Sequence, residues 1–399
     1  MSESPRPELV VEGFPGRPRP RWVELATSAD HKDIGRILIT GALGFLFLAA
    51  VEMLLMRLQL AIPENNFMTP VGFNRMLSTY GATAIFFFAI PLVIGFFYYV
   101  APLQVGARGT ALPRLGQLGA ALFGAGAVLY YASYMFTPSE AGVNPLSPLT
   151  DIAFLSNNGV DVWATAIGLA TLGFVFLSID LLTTLRRMRA PGMAWRRVPI
   201  FAWAATVGCW LMLVIGPVLL AAVTMLMIDR NYDGIFFVDG SGGAPLLWQH
   251  LSWIFFTGAY MLILIFAFGA IAEIVATFAG KPLFNRPAVM GSLAVIAIVG
   301  TLAWMQNMMT APIGILILGI GIVMTLVNAI QSRVNGAEAG HDPWGGDTLE
   351  WFTLSPPEPH NFDVLPDVRS TRPMRDIREA IANRTAREER PAGASQPVA

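Results

Sequence analysis

The 399-residue chain is 54% hydrophobic and only 13% charged, and its mean hydropathy of +0.56 excludes a soluble globular domain and marks an integral membrane protein. A formal net charge of -1 gives no basis for a nucleic-acid partner and leaves the lipid bilayer as the partner that composition implies. The single cysteine, Cys209, lies in an apolar run, which excludes an internal disulfide or a cysteine-rich metal cluster and reads as a small buried hydrophobe.

Residues 1–30 are rich in Pro and Arg and form a cytoplasmic N-terminal arm. No apolar core follows Met1, so no cleavable signal is expected, and the first spanning helix directs insertion. A spanning helix needs about 20 largely apolar residues. Eight segments qualify, at roughly 36–57, 79–101, 117–136, 161–185, 199–228, 248–279, 287–309 and 312–332. The fifth and sixth are long enough to tilt or project. Together they make one all-α, polytopic membrane bundle over residues 31–335. Residues 336–399 follow as a cytoplasmic tail, partly disordered, in which TRPMRDIREAIANRTAREER allows a short helix.

Basic residues gather in the arm, the 102–116 loop, the 186–198 loop (Arg186, Arg187, Arg189, Arg196, Arg197), the 280–286 loop and the tail. The 137–160 loop has none and the 229–247 loop only Arg230. The positive-inside rule then places both termini in the cytoplasm of a bacterial-type plasma membrane.

Ionisable residues inside spans are functional candidates by default. Glu52, close to Arg57 at an outer helix end, reads as an interfacial, snorkelling carboxylate, whereas Asp180 and Glu273 lie towards cytoplasmic ends. No chain of acids crosses the bundle with them, so proton pumping has no path. Near residue 306 the seventh segment carries two amides and three thioethers. Gln306 and Asn307 read as interhelical or interfacial hydrogen-bonding groups, since amide oxygens replace imidazole poorly. Met305, Met308 and Met309, level with Met225 and Met227, read either as core filler or as a copper-handling thioether cluster.

Seven stretches, in order, carry a resemblance. They are DHKDIGR (30–36), VAPLQVGARGTALPRL (100–115), RAPGM (189–193), TMLMIDRNYDGIFF (224–237), LLWQHLSWIFF (246–256), KPLF (281–284), and DPWGGDTLEW with PHNFD (342–351, 359–363). Together they resemble subunit I of the heme-copper oxidases, the cytochrome c oxidase type. The resemblance implies part of a twelve-helix fold, electron transfer from cytochrome c to oxygen, heme and copper cofactors, and other respiratory oxidase subunits as partners.

It also implies ligand positions. LSTYGATAIFFF (77–88) puts a low-spin heme ligand at Tyr80, a residue that otherwise reads as a packed phenol with a hydrogen-bonded hydroxyl. WIFFTGAYMLIL (253–264) puts a copper histidine at Thr257, the proton-relaying glutamate at Ala259 and the cross-linked tyrosine at Met261, with Tyr260 about 100° away around the helix. AWMQNMMT (303–310) puts two more copper histidines at Gln306 and Asn307, and the acid that opens a proton pathway falls on Gly109. Imidazole binds iron and copper strongly while neutral, which is why this chemistry uses it. None of these positions carries it, and His31, His250, His341 and His360 fall in polar flanks or at a helix end. Four helices of the family's fold are not matched either.

The resemblance thus implies a shortened, metal-free relative: a scaffold without heme or copper, not catalytic as an isolated chain, serving as an accessory or assembly subunit beside a terminal oxidase. Two alternatives stand beside it. One is a component of an active oxidase whose ligands come from a partner subunit. The other is a membrane protein handling a quinone, another small molecule or copper.

Overall fold

Six helices among the described residues are long and apolar enough to cross a membrane. They come from a computed structural model that describes residues 28–238, 242–279, 286–301, 346–353, 361–362 and 365–388. They are α1 (His31–Gln59), α2 (Pro70–Gln104), α3 (Pro113–Ala132), α4 (Gly159–Arg187), α5 (Ile200–Asn231) and α6 (Pro245–Ala279). Each matches one of the first six predicted segments. A further helix, α7 (Arg286–Val295), runs on through a π-helical turn over Ile296–Gly300, where the seventh segment begins. The rest of that segment, and the eighth, lie outside the described residues, so six spans are described where eight are predicted.

Polar residues set the helix starts. The Asp30 carboxylate accepts from the Lys32 amide at 3.0 Å at the head of α1, and the Thr69 hydroxyl accepts from Gly72 at 3.0 Å at the head of α2. Pro70 and Pro113 occupy the first turns of α2 and α3, where a missing amide costs nothing. With 29 residues, α1 is about 44 Å long, against a hydrocarbon core of about 30 Å. The surplus explains why the helices extend beyond their apolar stretches into polar flanks. Within α2, Pro91 has no amide to offer the Phe87 carbonyl, and the turn before it widens to π-helical geometry over Thr83–Ala89. Phe86 and Phe87, consecutive in sequence, are both fully buried there.

Neighbours in sequence pack as neighbours in space: α1 on α2, α3 on α4, α4 on α5, and α5 on α6. The bundle turns apolar side chains outward as well as inward, among them Phe47 and Leu54 on α1 and Ile274 and Phe278 on α6. That suits lipid, where burial gives no hydrophobic gain and helices associate through close packing and hydrogen bonds. Glycines bring α3 and α4 close together. A Cβ placed on Gly173 would lie 2.5 Å from the Gly119 carbonyl oxygen, and one on Gly119 would lie 2.8 Å from that of Gly173.

The described part of the tail packs on the end of the bundle that carries the arginine-rich 186–198 loop, called here the basic end. A 3-10 turn at Leu349–Phe352 precedes α8 (Pro373–Glu388), the helix that the tail sequence allows. Leu349, Phe362, Val368 and Met374 are buried, the Val368 amide donates to the Pro191 carbonyl at 3.0 Å, and Arg372 and Arg378 both reach Asp347.

The contact of α3 with α4 makes a testable contrast. Gly173→Leu should lower stability by about 2–3 kcal/mol through overpacking, whereas Gly124→Leu, whose Cβ meets nothing within 4 Å, should cost about 0.5 kcal/mol or less. Thermal unfolding in detergent, followed by exposure of the buried Cys209 thiol to a fluorogenic reagent, reads both. Equal losses would mean that the helices do not meet at Gly119 and Gly173.

Candidate functional site

The positions implied by the resemblance gather around α2 and α6. Tyr80 is half-buried, near the start of the π-helical turn of α2. Thr257 and Ala259 are buried on α6, and Thr257 Oγ1 has no hydrogen-bond partner among the described residues. Met261 is half-buried, with its thioether against Gly300 beyond α7. Tyr260 is exposed. Gly109 lies in the loop between α2 and α3 with open space beside it. Met305, Gln306, Asn307, Met308 and Met309 lie outside the described residues.

Aromatic packing joins these helices. Phe86 of α2 stacks on Phe255 of α6 with ring centroids 5.3 Å apart and planes 3° from parallel, and Phe256 meets Phe86 edge-on at 6.0 Å. A cavity bounded by Phe97, Ser178, Cys209, Met212 and Leu262 measures about 10 Å³, room for about one water at most. A phenol, a hydroxyl, a methyl and a thioether do not make the imidazole set that holds heme iron and copper. The described side chains at these positions supply no imidazole for either cofactor.

His31 is committed elsewhere. Its Nδ1 donates to the Tyr98 carbonyl at 3.0 Å, and its Nε2 accepts from Asn361 Nδ2 at 2.8 Å. Asn361, in the left-handed region at φ 58° that Asn tolerates better than most residues, also donates to the Ala107 carbonyl at 2.9 Å and accepts from Lys32 Nζ at 2.8 Å. Three of the family-like stretches, around residues 31, 107 and 361, thus meet at one asparagine.

The carboxylates are likewise joints between elements. Asp180 on α4 accepts from the Tyr98 hydroxyl of α2 and, at 2.7 Å, from the Leu112 amide at the head of α3. Thr184, one turn on, accepts from the Ala111 amide at 2.9 Å. Glu273 of α6 accepts from the Ile200 and Phe201 amides, so it caps α5 from a neighbouring helix and complements its dipole. Glu52 is only 7% exposed, not snorkelling as its sequence position suggests. Tyr131 of α3 donates to it at 3.1 Å and lies 2.6 Å from the Thr83 hydroxyl, replacing the water that an interfacial carboxylate would use.

Arg230 and Asp229 explain the TMLMIDRNYDGIFF stretch. Asp229 accepts from the Phe236 and Phe237 amides at 2.9 and 2.7 Å, which folds the loop back over the end of α5. Arg230 pairs with Asp161 of α4 at 2.8 Å and donates to the carbonyls of Thr150, Leu155 and Asn157. At the basic end, Gln104 Nε2 donates to Glu350 Oε1 at 3.1 Å, while Glu350 Oε2 is buried with no partner among the described residues. Burial first, and the negative charge of Glu273 second among the raising influences, push the Glu350 carboxyl up to about 7.

A family model described as cytochrome c and quinol oxidase polypeptide I matches residues 33–354. The heme-copper oxidase subunit I+III of Aeropyrum pernix is 36% identical over 291 residues, covering 72% of this chain and 35% of the relative. Cytochrome c oxidase subunit 1 of Bacillus sp. (strain PS3) is 34% identical over 325 residues, 80% of this chain and 52% of the relative. Quinol oxidase subunit 1 of Bacillus subtilis is 34% identical over 290 residues, 72% and 45% respectively. The chain thus spans between 35% and 52% of the length of these three relatives.

Two expectations follow from the joints. Tyr98→Phe should cost about 2 kcal/mol and Asp180→Ala about 3 kcal/mol, with the double variant well short of the sum because both remove one hydrogen bond; thermal unfolding read by Cys209 labelling measures this. For Glu350 the folded state holds the proton more tightly than the usual 4.5. Its contribution is then complete below pH 4.5 and is lost as pH rises through about 7. Hydrogen exchange at Leu349–Phe352 should quicken over that window beyond the intrinsic rate increase, and Glu350→Gln should remove the excess.

Proposed function

Because the chain belongs to the cytochrome c and quinol oxidase polypeptide I family, we propose that it is a metal-free member, a scaffold that acts as an accessory or assembly subunit of a respiratory terminal oxidase. The observation that carries this reading is the contrast between joints and ligand positions. Asn361 joins three family-like stretches, Asp180 on α4 holds the stretch that ends at the head of α3, and Asp229 folds its own stretch back over the end of α5. Tyr80 and Thr257 carry no imidazole, and the helices bearing them are locked by the stacked Phe86–Phe255 pair. On this reading the isolated chain binds neither heme nor copper and carries out no oxygen chemistry. Its partners are other oxidase subunits and the lipid bilayer. The concentration of arginine at one end supports a plasma-membrane orientation with both termini cytoplasmic.

A second reading keeps the chain inside a working oxidase, with ligands supplied by a partner subunit, and rests on relatives that are named as oxidase subunits. One experiment separates the two: purification in mild detergent, alone and with co-purifying subunits, followed by absorption spectroscopy and metal analysis. The expected result for the isolated chain is no Soret band and less than one iron or copper per ten chains. Stoichiometric heme on the isolated chain overturns the proposal, and heme that appears only in the complex and is lost with Thr257→Leu favours the second reading.

A further inference from the structure

At the basic end, the connection from α4 to α5 concentrates positive charge with little among the described residues to neutralise it. Among the described residues, Arg186, Arg187 and Arg189 form no ion pair, whereas Arg230 at the far end is paired with Asp161. Arg189 lies over Trp195, its guanidinium carbon 3.9 Å from the ring centroid, and the guanidinium carbon of Arg186 lies 6.0 Å from that of Trp210. A cation held over an aromatic face still has N–H groups that can bond elsewhere. Arg189 Nη1 is buried with no hydrogen-bond partner among the described residues. Burial and the neighbouring Arg186 charge hold the Arg189 guanidinium below the usual arginine range.

These three arginines, with Ala190, Gly192 and Met193, line a cleft of about 340 Å³, roughly ten times the volume of a water molecule. The carboxylate near Gly192, that of Asp367, is largely exposed and held by Arg369 at 3.3 Å. The carboxyl end of α4 adds about half a negative charge, against three full positive ones. Three arginines around one cleft, one of them with an unbonded guanidinium nitrogen, are matched by an anion with several acceptor oxygens, and tetrahedral phosphate meets guanidinium forks in bidentate fashion.

We propose that this cleft binds a phosphate-bearing anion, either the headgroup of an acidic phospholipid or the phosphate of a soluble compound, through Arg186, Arg187 and Arg189. The end of a spanning helix places the cleft at headgroup depth, where each arginine adds attraction to an anionic lipid.

The test uses the full chain, as wild type, Arg187→Gln and Arg189→Gln. Each is reconstituted in nanodiscs of phosphatidylcholine with a minor share of phosphatidylglycerol, and retained lipid is counted by native mass spectrometry after detergent exchange. Inorganic phosphate is titrated in parallel, with thermal unfolding as its readout. Arg187 is exposed and makes no contact that the fold uses, so its variant isolates binding from folding. The proposal expects roughly fivefold weaker retention of phosphatidylglycerol, or of the phosphate-induced stabilisation, for each arginine removed. Retention that millimolar phosphate does not displace identifies the lipid as the source, and displacement identifies a soluble phosphate compound. If wild type and Arg187→Gln hold phosphatidylglycerol and phosphate equally, the proposal fails.

Discussion

A carboxylate inside an apolar bundle has no water to accept from, so its hydrogen bonds must come from the protein. Asp180 draws them from Tyr98 on α2 and from Leu112 at the head of α3 while standing on α4, and one side chain thereby fixes three helices. Gly116, the first residue of α3 to pass this pair, has room only because it lacks a Cβ, which would lie 2.7 Å from the Asp180 carboxylate. The backbone contact of Gly119 with Gly173 follows one turn further along. The short loop that ends at Leu112 is fixed by the same constraint, and it supplies the Val105 carbonyl to Ala190 and the Ala107 carbonyl to Asn361. The α4–α5 connection and the tail thus both dock on the loop whose far end this buried acid holds.

The six described spans were legible because bilayer thickness imposes a length of apolar sequence that few other structures require. Their ends were less so. α2 starts at Pro70, nine residues before its predicted segment, because PVGFNRMLS is polar enough to escape a hydropathy reading yet is capped by Thr69 and continues the same helix. The joints were legible as motifs but not as contacts. DHKDIGR and PHNFD are separated by more than 300 residues, and nothing in either says that His31 and Asn361 share a hydrogen bond. Glu52 was misplaced for the same reason: its partner, Tyr131, lies 79 residues away, and a carboxylate near a helix end reads as interfacial until that phenol is seen beside it.

Joints and ligand positions answer to different physics, which is why they can diverge within one chain. A joint such as Asp229, with two backbone amides on one carboxylate, leaves buried donors orphaned if it changes, and that cost falls on folding itself. On the reading proposed above, a position such as Ala259 answers to packing alone, and the requirement there is volume and apolarity. Phenylalanine meets that requirement at Phe86 and Phe255, whose parallel stack joins the two helices through dispersion and needs no polar partner. A scaffold can therefore stay well folded with its joints kept while the positions between them drift towards filler.

The two ends of the bundle show how differently an arginine can be used. Arg230 is 4% exposed, bidentate to Asp161 and bonded to three carbonyls, and it sits in the last turn of α5, where the helix dipole also favours it. Its charge is cancelled within the protein, so it presents almost none to solvent and does not contradict an orientation argued from loop charge. Arg186 and Arg187 also end a helix, but no described carboxylate pairs with them, and their charge is carried outward. The rule that counts lysines and arginines in loops works for this chain because Arg230 is consumed by structure; Arg75, at the same end, is likewise paired, with Glu140 at 2.6 Å. Without Asp161, Arg230 would be a buried charge whose desolvation three carbonyl dipoles alone must offset, and the 150–161 loop would lose the group around which it closes.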